Sequence, residues 1–339
     1  MRKRMIAMIA AAVMALSSAA LFSSCSMEEG QTYAWVLGTA SPEDTVTGIF
    51  AEKFAELVGE LSDGEMKVQV YHNSILGGDT ELLESCQCGD IPFVVQNTAP
   101  QVSYLPQLAL FDLPMVFDNL DQLHTVLDDE TFMRKINAIY KEGDLRLLAM
   151  GDQDFRVMSS NVNIDSIDDF KGVKIRTMEN NYHIQFWSAL HANPTPMAFA
   201  ELYVGLEQNT VDAQENPYEV IVSNRFYEVQ DYVVETNHLP HLLSLITNDE
   251  FYQNLSGEEQ AVIDEAAEQA VIYAREQAVK RADARKATIT ESGTQIVKIS
   301  DELKNEMRSA SDDLYQKIRK TVNDDELFEQ YTRFLKESE

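Results

Sequence analysis

Nucleotide-binding and catalytic motifs are missing from this 339-residue sequence. No two of its 14 glycines are separated by a single residue, which excludes the G-x-G-x-x-G dinucleotide fingerprint, and no Walker loop occurs. The nucleophile elbow G-x-S-x-G and the metalloprotease motif H-E-x-x-H are absent too. No motif therefore supports an enzyme, and we expect neither a cofactor nor a metal ion.

Basic residues are scarce. The chain has 27 Lys and Arg against 56 Asp and Glu, a net charge of −29. Such a surface repels phosphate backbones, so nucleic acid is excluded as a partner. The content of 45% hydrophobic and 24% charged residues is that of a globular protein, and the length suits two lobes.

Cysteine is also rare, with three in the chain. Cys86 and Cys88 end a predicted helix over 79–87, and a Cys-x-Cys pair supplies at most two metal ligands. Buried free thiols or a strained local disulfide are better readings than a zinc site. His238 and His241 flank Pro240, which argues against a helical metal pair and favours core or surface histidines.

The third cysteine, Cys25, follows a basic segment at 2–4 and an apolar segment at 5–22. This order is typical of a secretory signal, predicted here as residues 1–24. Phe22-Ser23-Ser24-Cys25 resembles the lipobox of bacterial lipoproteins, although the usual Leu stands one place early, at Leu21. We expect lipidation of Cys25 and a mature net charge of −32. An uncleaved anchor and an ordinary secreted protein are the alternatives.

The first part of the chain alternates short apolar strands with helices. Strands are predicted at 32–37, 66–71 and 91–95. The first two enclose a helix whose apolar residues share one face, and the helix over 79–87 separates the second and third. A β-α-β-α-β order predicts a parallel sheet with right-handed crossovers.

A second unit begins near Leu145, with strands predicted at 145–149, 155–159 and 173–177. In the last of these, Lys174 and Arg176 share one face. Two prolines, Pro194 and Pro196, are expected to introduce a helix that carries Phe199 on its apolar side. The segment 211–215 reads as a strand, and Asn216-Pro217 is expected to lead into a loop.

A long helix is predicted near the C-terminal end. Ser256 and Glu259 form a capping box, and neither Gly nor Pro occurs from 258 to 292. Some thirty helical residues span about 45 Å. A helix of that length indicates a spine across two lobes.

Several segments of this sequence together resemble one family. They are Ile75-Leu76-Gly77-Gly78, Leu113-Pro114, Lys171 to Arg176, Ala192 to Tyr203, Val211 to Pro217 and Phe226 to Gln230. Their order and spacing resemble the DctP-type solute-binding proteins of TRAP (tripartite ATP-independent periplasmic) transporters. The resemblance implies an α/β, two-lobed flytrap fold and a monomer. It also implies capture of an organic acid outside the cell and its delivery to membrane subunits for ion-driven uptake.

The resemblance also implies which residues bind the acid. Arg176 stands in the family's carboxylate-clamping position, where a planar guanidinium offers two parallel donors and stays charged when desolvated. Arg156 matches the second arginine of the family, and Asn216 a residue that bonds the carboxylate or holds the clamp. Phe199 matches an aromatic residue that packs on the ligand, although core packing explains it equally well.

The opposite wall should set selectivity. Asp79 and Asn97 stand where sialic-acid binders of the family carry acidic residues, but Asn97 replaces a Glu and Ala40 replaces an Asn. These departures favour a shorter sugar acid such as a hexuronate, with a C4-dicarboxylate as the alternative. A sensory receptor for the same ligand and an exported enzyme are hypotheses of other classes. The expected lobes are residues 25–153 with 242–281, and 154–241 with 282–339.

Overall fold

The computed structural model describes residues 34–337, and in them the strands form one mixed sheet. Its order is β2-β1-β3-β8-β4-β7-β5-β6, with β9 paired to β8. The strands are β1 (Trp35–Gly38), β2 (Val68–Tyr71), β3 (Phe93–Asn97), β4 (Leu145–Ser160), β5 (Lys174–Thr177), β6 (Asn193–Pro196), β7 (Ala213–Asn216), β8 (Tyr232–Asn248) and β9 (Gln295–Lys298).

Helices cover this sheet and fill the connections between its strands. They are α1 (Val46–Leu61), α2 (Asp79–Gln87), α3 (Leu120–Leu127), α4 (Glu130–Glu142), α5 (Asn181–Ala189), α6 (Leu202–Glu207), α7 (Tyr218–Ser223), α8 (Asp249–Asn254), α9 (Gly257–Glu291), α10 (Asp301–Ala310), α11 (Asp312–Val322) and α12 (Asp325–Tyr331). The mixed α/β class predicted from the sequence is confirmed.

The first half of the sheet consists of β2, β1 and β3, and its strands run parallel as the β-α-β-α-β pattern predicts. Helix α1 lays Phe50, Phe54 and Val58 on this half, and all three are fully buried. Apolar residues at helical spacing bury one face of α1, and that burial is the main source of its stability. The Thr45 side chain caps the helix by accepting from the Gly48 amide.

Two long antiparallel strands, β4 and β8, connect the first half to the second. The sequence predicts two strands at 145–149 and 155–159, but they are parts of the single strand β4. Pairing with β8 is irregular between Asp152 and Phe155, and Asp154 has a left-handed φ of 75°. This irregularity lies at the predicted lobe boundary of 153/154, although the boundaries themselves stay predictions.

The second half of the sheet consists of β7, β5 and β6. Here two expectations are wrong. Pro194 and Pro196 lie within β6, an edge strand that tolerates proline because one side needs no ladder donors, and the helix starts later. After Asn216-Pro217 the chain enters α7 directly, since Pro217 has the extended conformation of an N-cap and needs no amide donor there.

The predicted long helix is confirmed as the 35-residue α9, which starts with the capping box of Ser256 and Glu259. Its first part packs into the core of the first half through residues such as Ile263 and Ala270. Near its end, Ile289 packs into the core of the second half with Ile221. The helix therefore joins both halves of the fold.

Some sequence predictions fall outside the described residues, namely the signal segment 1–24, Cys25 and the start of the first strand at Thr32. Cys86 and Cys88 are free thiols, the first buried and the second exposed, so the free-thiol alternative is right and the disulfide wrong. Within residues 34–337, no helix is both long and apolar enough to cross a membrane.

Candidate functional site

A cleft lies where the two halves of the sheet meet. Its first wall comes from the loop after β1 and the start of α2, and its second from the ends of β5 and β7. The outer part holds about 730 Å³ of empty space out to its mouth. Five of the predicted binding residues line this cleft: Asp79, Asn97, Arg176, Phe199 and Asn216. The sixth, Arg156, is not among the lining residues.

Arg176 is the central cation of the cleft and is 2% exposed. Its Nε and Nη2 both donate to the Met197 carbonyl oxygen, at 2.9 and 2.6 Å. These bonds fix the guanidinium plane and leave Nη1, with one further Nη2 hydrogen, for a ligand. Burial lowers the pKa of Arg176 to about 10, so it remains charged at neutral pH.

Arg156 lies behind the cleft and is engaged by protein groups. Its Nε and Nη2 bond the Glu215 carboxylate, and its Nη1 bonds His241 Nδ1. Nη2 also reaches Asn216 Oδ1 at 3.3 Å. Arg156 thus contacts the cleft wall through Asn216 and His241, which do line it.

Glu215 is fully buried and is contacted by basic side chains from three elements. Its carboxylate meets Arg156, His238 Nε2 at 3.1 Å and His183 Nδ1 at 3.5 Å. Burial by itself would raise the pKa of Glu215, but Arg156, His183 and His238 hold it well below its usual value. Burial lowers the pKa of His238, which fits a neutral imidazole donating to Glu215.

His183 extends this buried network to Asp112, with 3.1 Å between Nε2 and Oδ1. Burial opposes protonation of His183, yet Asp112 and Glu215 raise its pKa to about 9. His183 is therefore the charged histidine of the set. His238 and His241 are buried, at 1% and 6% exposure, so of the core and surface alternatives left open by the sequence the core one is right.

Asn216 ends β7 and is held from both sides. Its Nδ2 donates to Gln214 Oε1 at 2.6 Å, and its Oδ1 accepts from Arg156. Gln214 in turn donates to Ser159 Oγ at 2.7 Å. The amide therefore faces the cleft in one fixed orientation, which suits hydrogen bonding to a ligand without further ordering.

Phe199 begins the short turn before α6 and is half-buried at the cleft. Its ring centroid lies 6.0 Å from the Arg176 guanidinium carbon and 6.3 Å from the ring of Phe226, edge to face. Phe199 thus supplies an apolar surface beside Arg176 and shields its guanidinium from water.

Asp79 opens α2 and faces Arg176 from the opposite wall. Burial raises the pKa of Asp79 to about 6, against the attraction of Arg176, and the nearby Glu179 and Glu81 raise it further. Both of these glutamates are exposed at the outer part of the cleft. Asp79 and Glu81 therefore make the wall opposite the cation acidic, and Glu179 adds a negative charge on the side of Arg176.

Asn97 ends β3 on the same side and is tied to the backbone. Its Nδ2 donates to the Leu242 carbonyl oxygen and its Oδ1 accepts from the Ala99 amide, both at 2.9 Å. The neighbouring Ala40 is buried, and its small side chain leaves space where an Asn would project. This part of the wall offers little hydrogen bonding from side chains.

Sequence reasoning missed the role of Glu215 and of the histidines around it. Glu215 stands in the quoted Gln-Glu-Asn-Pro segment, and a glutamate inside a short strand of a buried sheet needs a cationic partner. That signal could have paired it with Arg156. The contacts of His238 and His241 depend on β8, a strand that was not predicted, and that of His183 depends on the packing of α5.

Comparison with known proteins identifies the family. Residues 37–321 match the family DctP, described as "Bacterial extracellular solute-binding protein, family 7". The chain belongs to the DctP family. Its members are extracytoplasmic binding proteins, which confirms the resemblance seen in the sequence and excludes the enzyme hypothesis.

The DctP relatives have different ligands. A sugar acid binding protein of Advenella mimigardefordensis, solved with galactonate, superposes with a TM-score of 0.85 at 30% identity, covering 91% of this chain and 99% of that one. The 2,3-diketo-L-gulonate-binding protein YiaO of Escherichia coli is 32% identical over 67% of this chain and 69% of its own. The C4-dicarboxylate-binding protein DctP of Shewanella loihica is 30% identical over 74% of both chains. These matches confirm the two-lobed fold.

Proposed function

We propose that this protein captures a sugar acid, a hexuronate or hexonate, outside the cell and delivers it to TRAP membrane subunits. The single observation that carries the ligand class is the charge of the cleft. In the described residues, Arg176 is the one Lys or Arg that lines it, while Asp79, Glu81 and Glu179 line the remainder. A ligand with one carboxylate and several hydroxyls fits that arrangement.

Arg176 is proposed to bind the carboxylate through its Nη1 and Nη2 hydrogens, with Asn216 donating or accepting beside it. Phe199 would pack on the carbon chain. Asp79 would accept hydroxyl hydrogens, which carboxylates do strongly. Arg156 is proposed to act by holding Asn216 and His241 in place. Asn97 would contribute mainly shape, since the backbone engages its amide.

A C4-dicarboxylate is the second candidate, because a relative is named for that ligand. The second carboxylate of such a ligand would face Asp79 and Glu81 on the opposite wall without a cation. Like charges at a few ångströms in a partly desolvated cleft are costly. The cleft therefore favours the monoacid.

Thermal-shift measurements with D-galactonate, D-glucuronate, D-galacturonate and succinate test this proposal. A ligand that binds only the folded state raises the melting temperature by mass action. We expect a rise with at least one sugar acid and none with succinate. The Arg176→Ala variant serves as the control that removes the rise. A shift with succinate alone would contradict the proposed ligand class.

Two finer points belong to the same proposal. We propose that the protein works as a monomer tethered to the outer face of the membrane through lipidated Cys25. Cys25→Ala should abolish incorporation of labelled palmitate and release the protein from the membrane fraction, while sedimentation of the released protein should give one chain per particle. Labelling that survives the substitution would contradict the anchor.

A further inference from the structure

Four charged residues connect the two halves of the fold outside the sheet. Arg281 and Arg285 stand one turn apart on α9, Asp44 lies in the loop before α1, and Glu219 lies on α7. We name these four residues the arginine bridge. We propose that the arginine bridge is an affinity determinant that stabilises the closed cleft, which rests on the proposed function.

Each arginine of the bridge bonds both halves at once. Arg281 donates through Nε to Glu219 Oε1 at 2.9 Å and through Nη2 to the Asp44 carbonyl oxygen at 2.7 Å. Arg285 donates through Nε to Glu219 Oε2 and through Nη2 to the same Asp44 carbonyl oxygen, both at 2.9 Å. Two guanidiniums therefore hold one carboxylate of the second half and one carbonyl of the first.

The contacts of the arginine bridge are partly shielded from water. Glu219 is 7% exposed and Arg285 15%, so water screens their attraction only in part. Asp44, by contrast, is 63% exposed, and its carboxylate lies 3.1 Å from Arg285 Nη2 and 4.0 Å from Arg281 Nη2. The backbone carbonyl of Asp44, rather than its carboxylate, is the main contact in the first half.

Separation of the halves must break one side of the bridge. The first part of α9 is packed into the core of the first half, whereas Glu219 is carried by α7 of the second. If α9 moves with the first half, the bonds to Glu219 break; if it moves with the second, the bonds to Asp44 break. In either case, only the closed form has all the hydrogen bonds of the arginine bridge.

Helix α7 couples the arginine bridge to the ligand site. Glu219 lies three residues after Asn216, which faces the cleft and ends β7. A contact that raises the population of the closed form raises the apparent affinity by the same factor, although it never touches the ligand. The bridge residues are therefore positioning residues.

The test is calorimetry with D-galactonate and D-glucuronate on the full chain at 150 mM salt. Arg281→Gln with Arg285→Gln should raise Kd about tenfold, as expected for several partly buried charged contacts. Lys280→Ala is the matched control, because within the described part of the chain this exposed neighbour pairs only with Glu276, and its Kd should equal that of the wild type. An unchanged Kd in the double variant overturns the proposal.

Glu219→Gln separates the bridge from a general charge effect. It removes a negative charge, so long-range electrostatics would tighten binding of an anion, whereas loss of the bridge should raise Kd about threefold. If circular dichroism shows that the double arginine variant is unfolded, Glu219→Gln alone tests the proposal. Tighter binding in Glu219→Gln overturns the proposal.

A failure of the proposed ligand class can be distinguished from a failure of the arginine-bridge proposal. If the wild type binds neither acid, the proposed ligand class is wrong, and small-angle scattering alone then judges the bridge. The radius of gyration of the double arginine variant should exceed that of Lys280→Ala; equal radii overturn the proposal.

Discussion

The two arginines of the site lie close in the fold but have opposite environments. Arg156 is surrounded by groups of the protein itself, the Glu215 carboxylate, His241 and Asn216. Among residues 34–337, Arg176 has only the Met197 carbonyl oxygen as a direct hydrogen-bond acceptor, and it otherwise faces the cleft. The difference indicates that the Arg156 guanidinium stabilises the protein scaffold, whereas the Arg176 guanidinium remains available for a ligand. Substitutions at each should therefore affect different measurements.

The largest expected effect comes from breaking the scaffold pair. Glu215→Gln removes the charge that compensates Arg156 and His183 in a site with no exposure to solvent. Leaving buried cations unpaired costs about 3–5 kcal/mol, and urea unfolding should show a loss of that size. Glu207→Gln, at an exposed position at the end of α6, is the control and should change the free energy of unfolding by less than about 0.5 kcal/mol. A stability equal to wild type would mean that the pair contributes nothing.

Arg176→Ala should show the opposite pattern. We expect Kd for a sugar acid to rise about 100-fold, as two charge-assisted hydrogen bonds of roughly 1.5 kcal/mol each are lost. The free energy of unfolding should not fall by as much as in Glu215→Gln, because no paired carboxylate is stranded by this change. Calorimetry and urea unfolding on the same sample measure both effects.

Arg134→Ala provides the matched control, since Arg134 is exposed on α4 and, among the residues that the structure describes, bonds only the Thr131 hydroxyl. It removes the same charge from the protein without altering the cleft. An Arg176→Ala variant that binds as tightly as Arg134→Ala would remove Arg176 from the site.

The sequence predicts the features of the fold and the site that depend on residues close together in the chain. The amphipathic pattern of α1, the capping box of α9 and the motif around Arg176 all depend on neighbouring residues, and each matches the structure. The partners of Arg156 depend on contacts between residues 59 and 85 positions apart in the chain. Hydrophobic periodicity carries no information about such pairings, which is why Arg156 and Arg176 looked alike in the sequence.

The same limit explains the missed strand β8 and the misread prolines of β6. Strand β8 contains His238, Pro240 and His241, residues with low strand propensity, and it exists because it pairs with β3 and β4 on both sides. Pairing with strands distant in the chain therefore determines the conformation of these segments, which the local sequence pattern does not predict.

A smaller effect is expected at Asp79, the acid that faces Arg176. Its pKa is about 6 in the folded protein against an ordinary value of 3.8. Between those values the folded state binds more protons than the unfolded state, so the free energy of unfolding should rise as the pH falls from 7 to 5. For this group the gain is about 1 kcal/mol.

Asp79→Asn isolates that contribution. The variant should lose about 1 kcal/mol of the gain between pH 7 and pH 5, as measured by urea unfolding at both values. Other titrating groups cancel in the difference between the wild type and the variant. Identical pH profiles would show that solvent reaches Asp79 freely.

The smallest change expected concerns Phe199, whose ring lies beside Arg176 without a polar contact. Phe199→Leu keeps an apolar side chain but removes the aromatic face 6.0 Å from the guanidinium. A cation–π contact at a partly exposed site contributes about 0.5–1 kcal/mol, so Kd for a sugar acid should rise about two- to fivefold. Tyr203→Leu, which changes an aromatic of the adjoining core that does not line the cleft, is the control for packing. If both variants weaken binding equally, Phe199 acts through the core of the second half and not on the ligand, and the cleft retains Arg176 and Asn216 as its specific contacts.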